Sequence, residues 1–385
     1  MTVESDGKRT CRERRAMKVL KSRSIGATAV IAAAAIASLA HADADWREEW
    51  HRTVRAGKQE GKVVVFTFPG LERVFQEFER SFPDIKVTVA ALRGSERITR
   101  ILTERRAGKY LVDFLIGGAG SAQSGLLKAG VLDPIKPLLM LPEVLDSSRW
   151  WRGRHIYADE ERKYIFSFGG SPVHYFHYNT TLVNPSEFKS YWDLLHPRWK
   201  GKIVVAEPLS SGTFEILQFL YHHDELGPEF IRRFLTEMDL GVTRDSRQFV
   251  DWLAQGKYAL GGLQNADRIE LWAAKKQGLP VDTFELARFK EGGLIGPGGS
   301  NIALINRAPH PNAAVVFVNW LLSREGQIAY QKFAQGGRNS LRVDIPKDDL
   351  PPHSRIKPEL KYAIADETKD PEAFRRFVHD VWRKK

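Results

Sequence analysis

The sequence predicts an α/β protein built as two domains, and three observations carry that prediction. β-branched runs alternate with segments of helical period at the spacing of βαβ units. The alternation is interrupted by an aromatic, β-rich stretch from Tyr164 to Asn179, after which it resumes. At 385 residues the chain is long enough for two sizeable hydrophobic cores.

Each element has its own warrant. "KVVVFTF" (Lys62 to Phe68) is an apolar, β-branched run and reads as the first strand. In "LERVFQEFERSF" the apolar residues Leu71, Val74, Phe75, Phe78 and Phe82 recur at helical spacing. "IKVTVAAL" (Ile85 to Leu92) is a second strand, and Ser95 to Gly108 a helix ending at glycine. "VDFLIGG" (Val112 to Gly118) is a third strand, followed by a short helix in "SAQSGLLKAG". Strands joined this way form a parallel sheet, whose ligand crevice opens at the strands' carboxyl ends. Those ends are Phe68-Pro69-Gly70, Arg93-Gly94-Ser95 and Gly117 to Ser121. Further on, "SYWDLLHPRWKGKIVVAEP" gives a short helix, a turn and a strand. "EPLSSGTFEILQFL" starts the next helix, and Pro228 fits the first turn of another. "FKEGGLIGPGGSNIALI" is glycine-rich and ends in a strand, and "HPNAAVVFVNWLLSREGQIAYQKFA" reads as helices.

The N-terminus follows a different logic. Arg12, Arg14, Arg15, Lys18, Lys21 and Arg23 precede "ATAVIAAAAIASLA", an uncharged run of 14 residues. That is short for a bilayer span. Ala40-His41-Ala42 supplies an A-x-A cleavage pattern, so residues 1–42 read as a secretory signal peptide, the rival being a buried alanine-rich helix. Met17 opens a sufficient leader by itself and is an alternative start. Cleavage after Ala42 removes 8 basic and 3 acidic residues, leaving 50 against 44, a net +6 in place of +11. The remaining charges are scattered in mixed sign, and no basic stripe of nucleic-acid type is present. Cys11 is the only cysteine. The mature chain therefore has no disulfide, thiolate nucleophile or cysteine metal site.

"YNTTLVNPSEFKSYWDLLHPRWKGKIVVAEPLSSGT" resembles the central segment of solute-binding proteins of ABC importers, and in particular the ferric-ion and phosphorylated-solute group. "RGSERITRILTERRAGKYLVDFLIGG" and "APHPNAAVVFVNWLLSREGQ" are similar to that group's first-lobe loop and late helix pair. The resemblance implies a two-lobed type II periplasmic-binding-protein fold, with a hinge and a ligand cleft between lobes. It places 43–175 and 285–385 in one lobe and 176–284 in the other. It implies a small-molecule solute, an inner-membrane ABC permease with its ATPase, a periplasmic location and a monomer.

No enzyme motif accompanies this. G-x-S-x-G and the phosphate-loop pattern G-x-x-x-x-G-K-[ST] are absent. "GGAGSAQSG" begins like a dinucleotide fingerprint, but Gln123 stands where glycine is needed, so no cofactor is expected. The histidines lack metal-ligand spacing, and His174 and His177 lie on opposite faces of a strand. The ferric members of the resembled group supply neighbouring tyrosines in the second lobe. Here Asn265, Asp267 and Arg268 occupy that region. An arginine favours an anion over a cation.

The expected ligand contacts are therefore anion-binding. Ser210, Ser211, Gly212 and Thr213 stand at a helix start, where free amides and hydroxyls form an anion cup. Ser211 as a plain helix cap is the bland alternative. Arg93, Gly94 and Ser95, with Gly118, Ser121 and Ser300, answer from the first lobe. Asn265 and Arg268 contribute from the second, and Tyr178, Tyr164 or Tyr175 from the crossover strand. No catalytic residue and no metal ligand is assigned. The rivals are ferric ion, a polyamine or sugar, a secreted enzyme on a similar scaffold, and an adaptor without solute.

Overall fold

The computed structural model describes residues 46–92, 96–210, 212–266, 269–334, 338–364 and 371–383. The segment expected to be a signal peptide, Arg93-Gly94-Ser95, Ser211 and Asp267-Arg268 lie outside the described residues. The chain divides into a leading unit, Met1–Ala56, and a main body, Gly57–Lys385. Residues 46–60 are helical.

In the main body, Lys62–Thr67 pairs in parallel with Lys86–Ala91 on one side and Phe114–Gly117 on the other. Helices Glu72–Ser81 and Glu96–Arg106 make the crossovers. The first buries Val74, Phe75 and Phe78, the stripe its period predicts. Phe78 meets Phe317 and Trp320 edge-on at 5.2 and 5.4 Å, so this helix packs on the late helix Pro311–Leu322. The other face of the sheet holds Phe66, Leu115, Ile165 and Ala303 against Ile98 and Ile101. Helices on both faces explain why these strands read as apolar runs.

The sheet is not all parallel. Asn301–Ile305 returns from late in the chain and lies antiparallel beside Phe114–Gly117, then pairs with Ile165–Ser167. With Ile156–Tyr157 and Leu132–Asp133 the sheet has seven strands. A second sheet of five runs Gly241–Thr243, Ile203–Ala206, Leu260–Gly262, Phe176–Asn179, Val281–Thr283. Its first three strands are parallel. Phe176–Asn179 is antiparallel to both its neighbours. Val204 faces one cluster with Phe249, Leu253 and Leu271. Ile203 and Val205 face the other, with Phe230, Ile231 and Phe234. The strand alternation thus places helices on both faces here as well.

Gly169–Pro172, Gly293–Gly296, Asn339–Ser340 and Tyr362–Ile364 form a third sheet of four strands. The first two of these carry the chain toward and away from the second sheet. The C-terminal helix Pro371–Arg383 differs from the expected first-lobe return. Phe374, Val378 and Val381 join the core of the second sheet, and Phe374 meets Phe214 edge-on at 5.9 Å. No helix among the described residues is long and apolar enough to cross a membrane.

Candidate functional site

The carboxyl ends of Ile203–Ala206, Gly241–Thr243 and Leu260–Gly262 point the same way, because the three strands are parallel. A crevice of about 350 Å³ opens there, lined by Glu207, Leu209, Ser210, Thr243, Arg244 and Gln264. Its floor is fixed by backbone. Glu207 N–H donates to Thr243 O at 3.2 Å, and the Thr243 hydroxyl bonds Gln248 Oε1 at 2.7 Å. Trp382 Nε1 donates to the Glu207 carboxylate at 2.7 Å. Arg244 stands 3.6 Å from the same carboxylate with 84% of its side chain exposed. A pair that wet holds its arginine weakly, which leaves the guanidinium free to turn toward a solute.

The serine loop is a folded turn. Ser210 N–H donates to Glu207 O at 2.9 Å and Thr213 N–H to Ser210 O at 3.2 Å. The helix runs Phe214–His222, with Thr213 at its cap position and no side-chain cap from it. Leu217 N–H closes the first helical turn on Thr213 O at 3.1 Å, so the amides of Phe214, Glu215 and Ile216 precede the ladder. Ser210 is half-buried on the crevice wall and Gly212 is half-buried beside it. Thr213 departs from its expected role as a solute donor. It is fully buried, and its hydroxyl lies 2.8 Å from both Pro208 O and Ser210 O. It ties the loop closed. Thr213→Val is therefore expected to lower the denaturation midpoint, by about 1–2 kcal/mol of stability for the buried hydroxyl's hydrogen bonds lost. Equilibrium urea unfolding reads it.

Tyr178 is displaced from the site by strand direction. Its strand is antiparallel to Leu260–Gly262, and Tyr178 pairs with Leu260, the end remote from the crevice. It packs at 4.8 Å on Phe284 in the core, where burial, with Asp282 beside it, pushes its hydroxyl up to about 12. Tyr175 is the tyrosine at the near end, where its buried hydroxyl donates to Glu215. Glu215 Oε1 lies 2.6 Å from where a β-carbon on Gly296 would stand. The start of the Phe214–His222 helix thus abuts the Gly296–Ser300 loop. Asn265 is buried in the turn after Leu260–Gly262, a turn that holds Leu263 at φ 61°. His177 Nε2 bonds Gln264 O at 2.7 Å behind it. Burial lowers that imidazole to about 4, so it is a neutral support. Tyr164 is half-buried against the first core and Trp150 fully buried on Phe166.

On the first-lobe side, Ser300 is fully buried and its hydroxyl bonds Tyr330. Gly118 is half-buried, and among the described residues Gly298 O and Ser121 Oγ lie within 4 Å of an added β-carbon. Ser121 Oγ donates to Gly118 O at 3.1 Å. Asn301 Nδ2 clamps Gly117 O and Gly298 O at 3.0 and 3.1 Å, joining the two glycine loops. Around this junction stand two residues that sequence reasoning missed, Arg97 and Arg338. Gln264 and Arg244 were missed also. Their only sequence signal is position, just past strands that end at the crevice.

A two-lobed α/β architecture with a polar crevice at strand ends and crossover strands between lobes defines a solute-capturing protein. The chain belongs to the bacterial extracellular solute-binding protein family, whose model matches residues 68–328. Membership implies a small-molecule solute, delivery to an ABC permease and a periplasmic or extracellular location. Ferric iron-binding protein A of Mannheimia haemolytica, in an open conformation, superposes with a TM-score of 0.64 at 16% identity, covering 83% of this chain and 98% of that one. The Trichodesmium protein IdiA (FutA), in complex with iron and citrate, gives 0.60 at 19%, with 84% and 98% covered. AfuA of Actinobacillus pleuropneumoniae, with fructose-6-phosphate bound, gives 0.51 at 18%, with 84% and 97% covered. No curated protein sequence matches this chain.

Proposed function

We propose that this protein captures a small anionic or phosphorylated organic solute in the periplasm, as a monomer. It passes the solute to an inner-membrane ABC permease driven by its ATPase. Its work is binding without chemical change, and the signal-peptide pattern at 1–42 is its export route. The observation that carries the reading is the crevice at the carboxyl ends of three parallel strands, where Ser210, Gln264 and an exposed Arg244 converge. One of the similar structures holds a sugar phosphate, which supports the anionic class.

Another similar structure holds iron with citrate, so ferric ion is the second reading. Phenolates are the oxygen ligands such an ion prefers. Here Tyr175 is hydrogen-bonded to Glu215 and Tyr178 is held protonated in the core. Mass spectrometry of solute co-purified with the native protein tests the reading, with calorimetric titration of the identified compound. Arg244→Gln is expected to weaken binding roughly two- to fivefold at low salt, since an exposed charge contributes little more. A solute without anionic groups, or an intense visible band on adding ferric citrate, would overturn the anionic assignment.

A further inference from the structure

Arg97 and Arg338 are two cations without a carboxylate partner among the described residues. Arg97 is 6% exposed, yet among the described residues its only hydrogen bond is Nη1 to Ile116 O at 3.2 Å. Its Nε is buried and unsatisfied. Burial lowers the guanidinium from its ordinary value with no acid opposing the shift. Arg338 is half-buried, its Nε is likewise buried and unsatisfied, and its guanidinium lies 5.8 Å over the Phe68 ring. Neither forms a salt bridge with any described residue. Buried charges are ordinarily paired, and an orphaned one costs several kcal/mol. Such a cost persists where something else completes the pair.

Both guanidinium groups border one place. A β-carbon on Gly117 would sit 3.0 Å from Arg97 Nη1, and one on Gly298 would sit 2.8 Å from Arg338 Nη1. Asn301 binds the carbonyls of those same two glycines. Gly298 has φ 55°, a conformation that favours glycine. No atom of the described residues lies within 4 Å of a β-carbon added on Gly120, in the neighbouring turn. The second-lobe helix start adjoins this loop through Glu215 and Gly296.

We infer that the Gly117–Gly118 and Gly298 junction, flanked by Arg97 and Arg338, is a first-lobe seat for a phosphoryl-type oxyanion carried by the solute. The inference rests on the capture reading above and adds the residues and the head group. The two arginines come from separate elements, a helix and the segment before Asn339, so their donor planes are independent. A planar carboxylate satisfies one such fork, whereas a phosphoryl group offers three terminal oxygens and can meet both. Arg338 meets the anion from the side and Arg97 from beneath.

The test uses the mature protein and three probes: glycerol 3-phosphate, glycerol and citrate. Thermal melting and calorimetry should show stabilisation by the phosphate ester and none by glycerol. Arg338→Gln and Arg97→Met should each weaken the phosphate ester roughly ten- to a hundredfold, the worth of one charged hydrogen bond. Without probe, both variants should melt at or above wild type, because an uncompensated buried charge has been removed. That gain in the free protein is what a merely structural arginine would not give. Unchanged affinity in folded Arg338→Gln overturns the seat, as does citrate binding in preference to the phosphate ester. If wild type ignores glycerol 3-phosphate while a solute co-purifies, the seat falls and capture stands. If nothing co-purifies either, both fall.

Discussion

Arg342→Met is expected to lower the unfolding free energy by about 3 kcal/mol or more. The side chain is fully buried, with Nε and Nη2 on the Asp344 carboxylate at 2.9 and 2.7 Å. Nη2 also reaches Glu143 at 3.0 Å, and Nη1 donates to Leu322 O at 3.0 Å. One group thus ties a short helix, the end of Pro311–Leu322 and its own loop together. Removing it takes the buried cation from two carboxylates and a hydrogen bond from the Leu322 carbonyl, a loss that replacing both partners would lessen. Arg342→Met with Asp344→Leu should accordingly recover part of the loss. The pH dependence has a definite sign. The hydrogen bond from Arg342 holds the Asp344 carboxyl below its ordinary value. The pair's contribution is therefore complete above the unfolded carboxyl's value of about 3.9 and fades as pH falls through the lower folded value. The gap between wild type and variant should narrow in acid. Urea unfolding at neutral and acidic pH measures it, and a gap that widens in acid would refute the account.

Gly326→Ala should cost a comparable amount by a different route. Gly326 lies in the first turn of Arg324–Phe333, where alanine would gain up to about 1 kcal/mol in helix propensity. Packing decides against it. The added β-carbon would sit 2.0 Å from Trp320 O and 2.8 Å from Leu321 Cα, both backbone atoms of the preceding helix. Backbone cannot swing aside as a side chain can, so overpacking of about 3 kcal/mol exceeds the propensity gain. Gly120→Ala is the control, since its β-carbon would meet nothing within 4 Å. It should be neutral or slightly stabilising. Parallel chemical denaturation separates the two glycines.

Local pattern made much of this molecule legible. The stripe of Val74, Phe75 and Phe78 recurs with helical period, and it is the face the helix buries. The runs at Lys62 and Ile203 are apolar because helices cover both faces of their sheets. What stayed hidden is long-range. Nothing in Asn301–Ile305 says that it lies antiparallel beside Phe114–Gly117, with Asn301 184 residues away from Gly117. The direction of Phe176–Asn179 is equally silent, and it decided that Tyr175 and not Tyr178 stands near the crevice. Thr213 shows the same limit on a small scale. A hydroxyl at a helix start reads as a donor to a ligand until the loop folds back and offers it Pro208 O. The charge balance of Arg97 and Arg338 is invisible too, because composition counts acids without saying where they lie.

The C-terminal helix has a mechanical consequence. The chain passes between the lobes after Pro172, before Gly293, and again between Tyr362–Ile364 and Pro371–Arg383, whose Phe374 sits in the second core. Two straps make a joint that can twist as well as bend. A third starts beside the second, since Tyr362–Ile364 pairs with Gly293–Gly296, and so broadens the joint and opposes the twist. Fewer ways of being open mean less freedom surrendered when a solute draws the halves together, so more of each contact is expressed as affinity. It also narrows the geometries a permease meets. With twist opposed, the opening angle is the main coordinate left to separate an empty carrier from a loaded one.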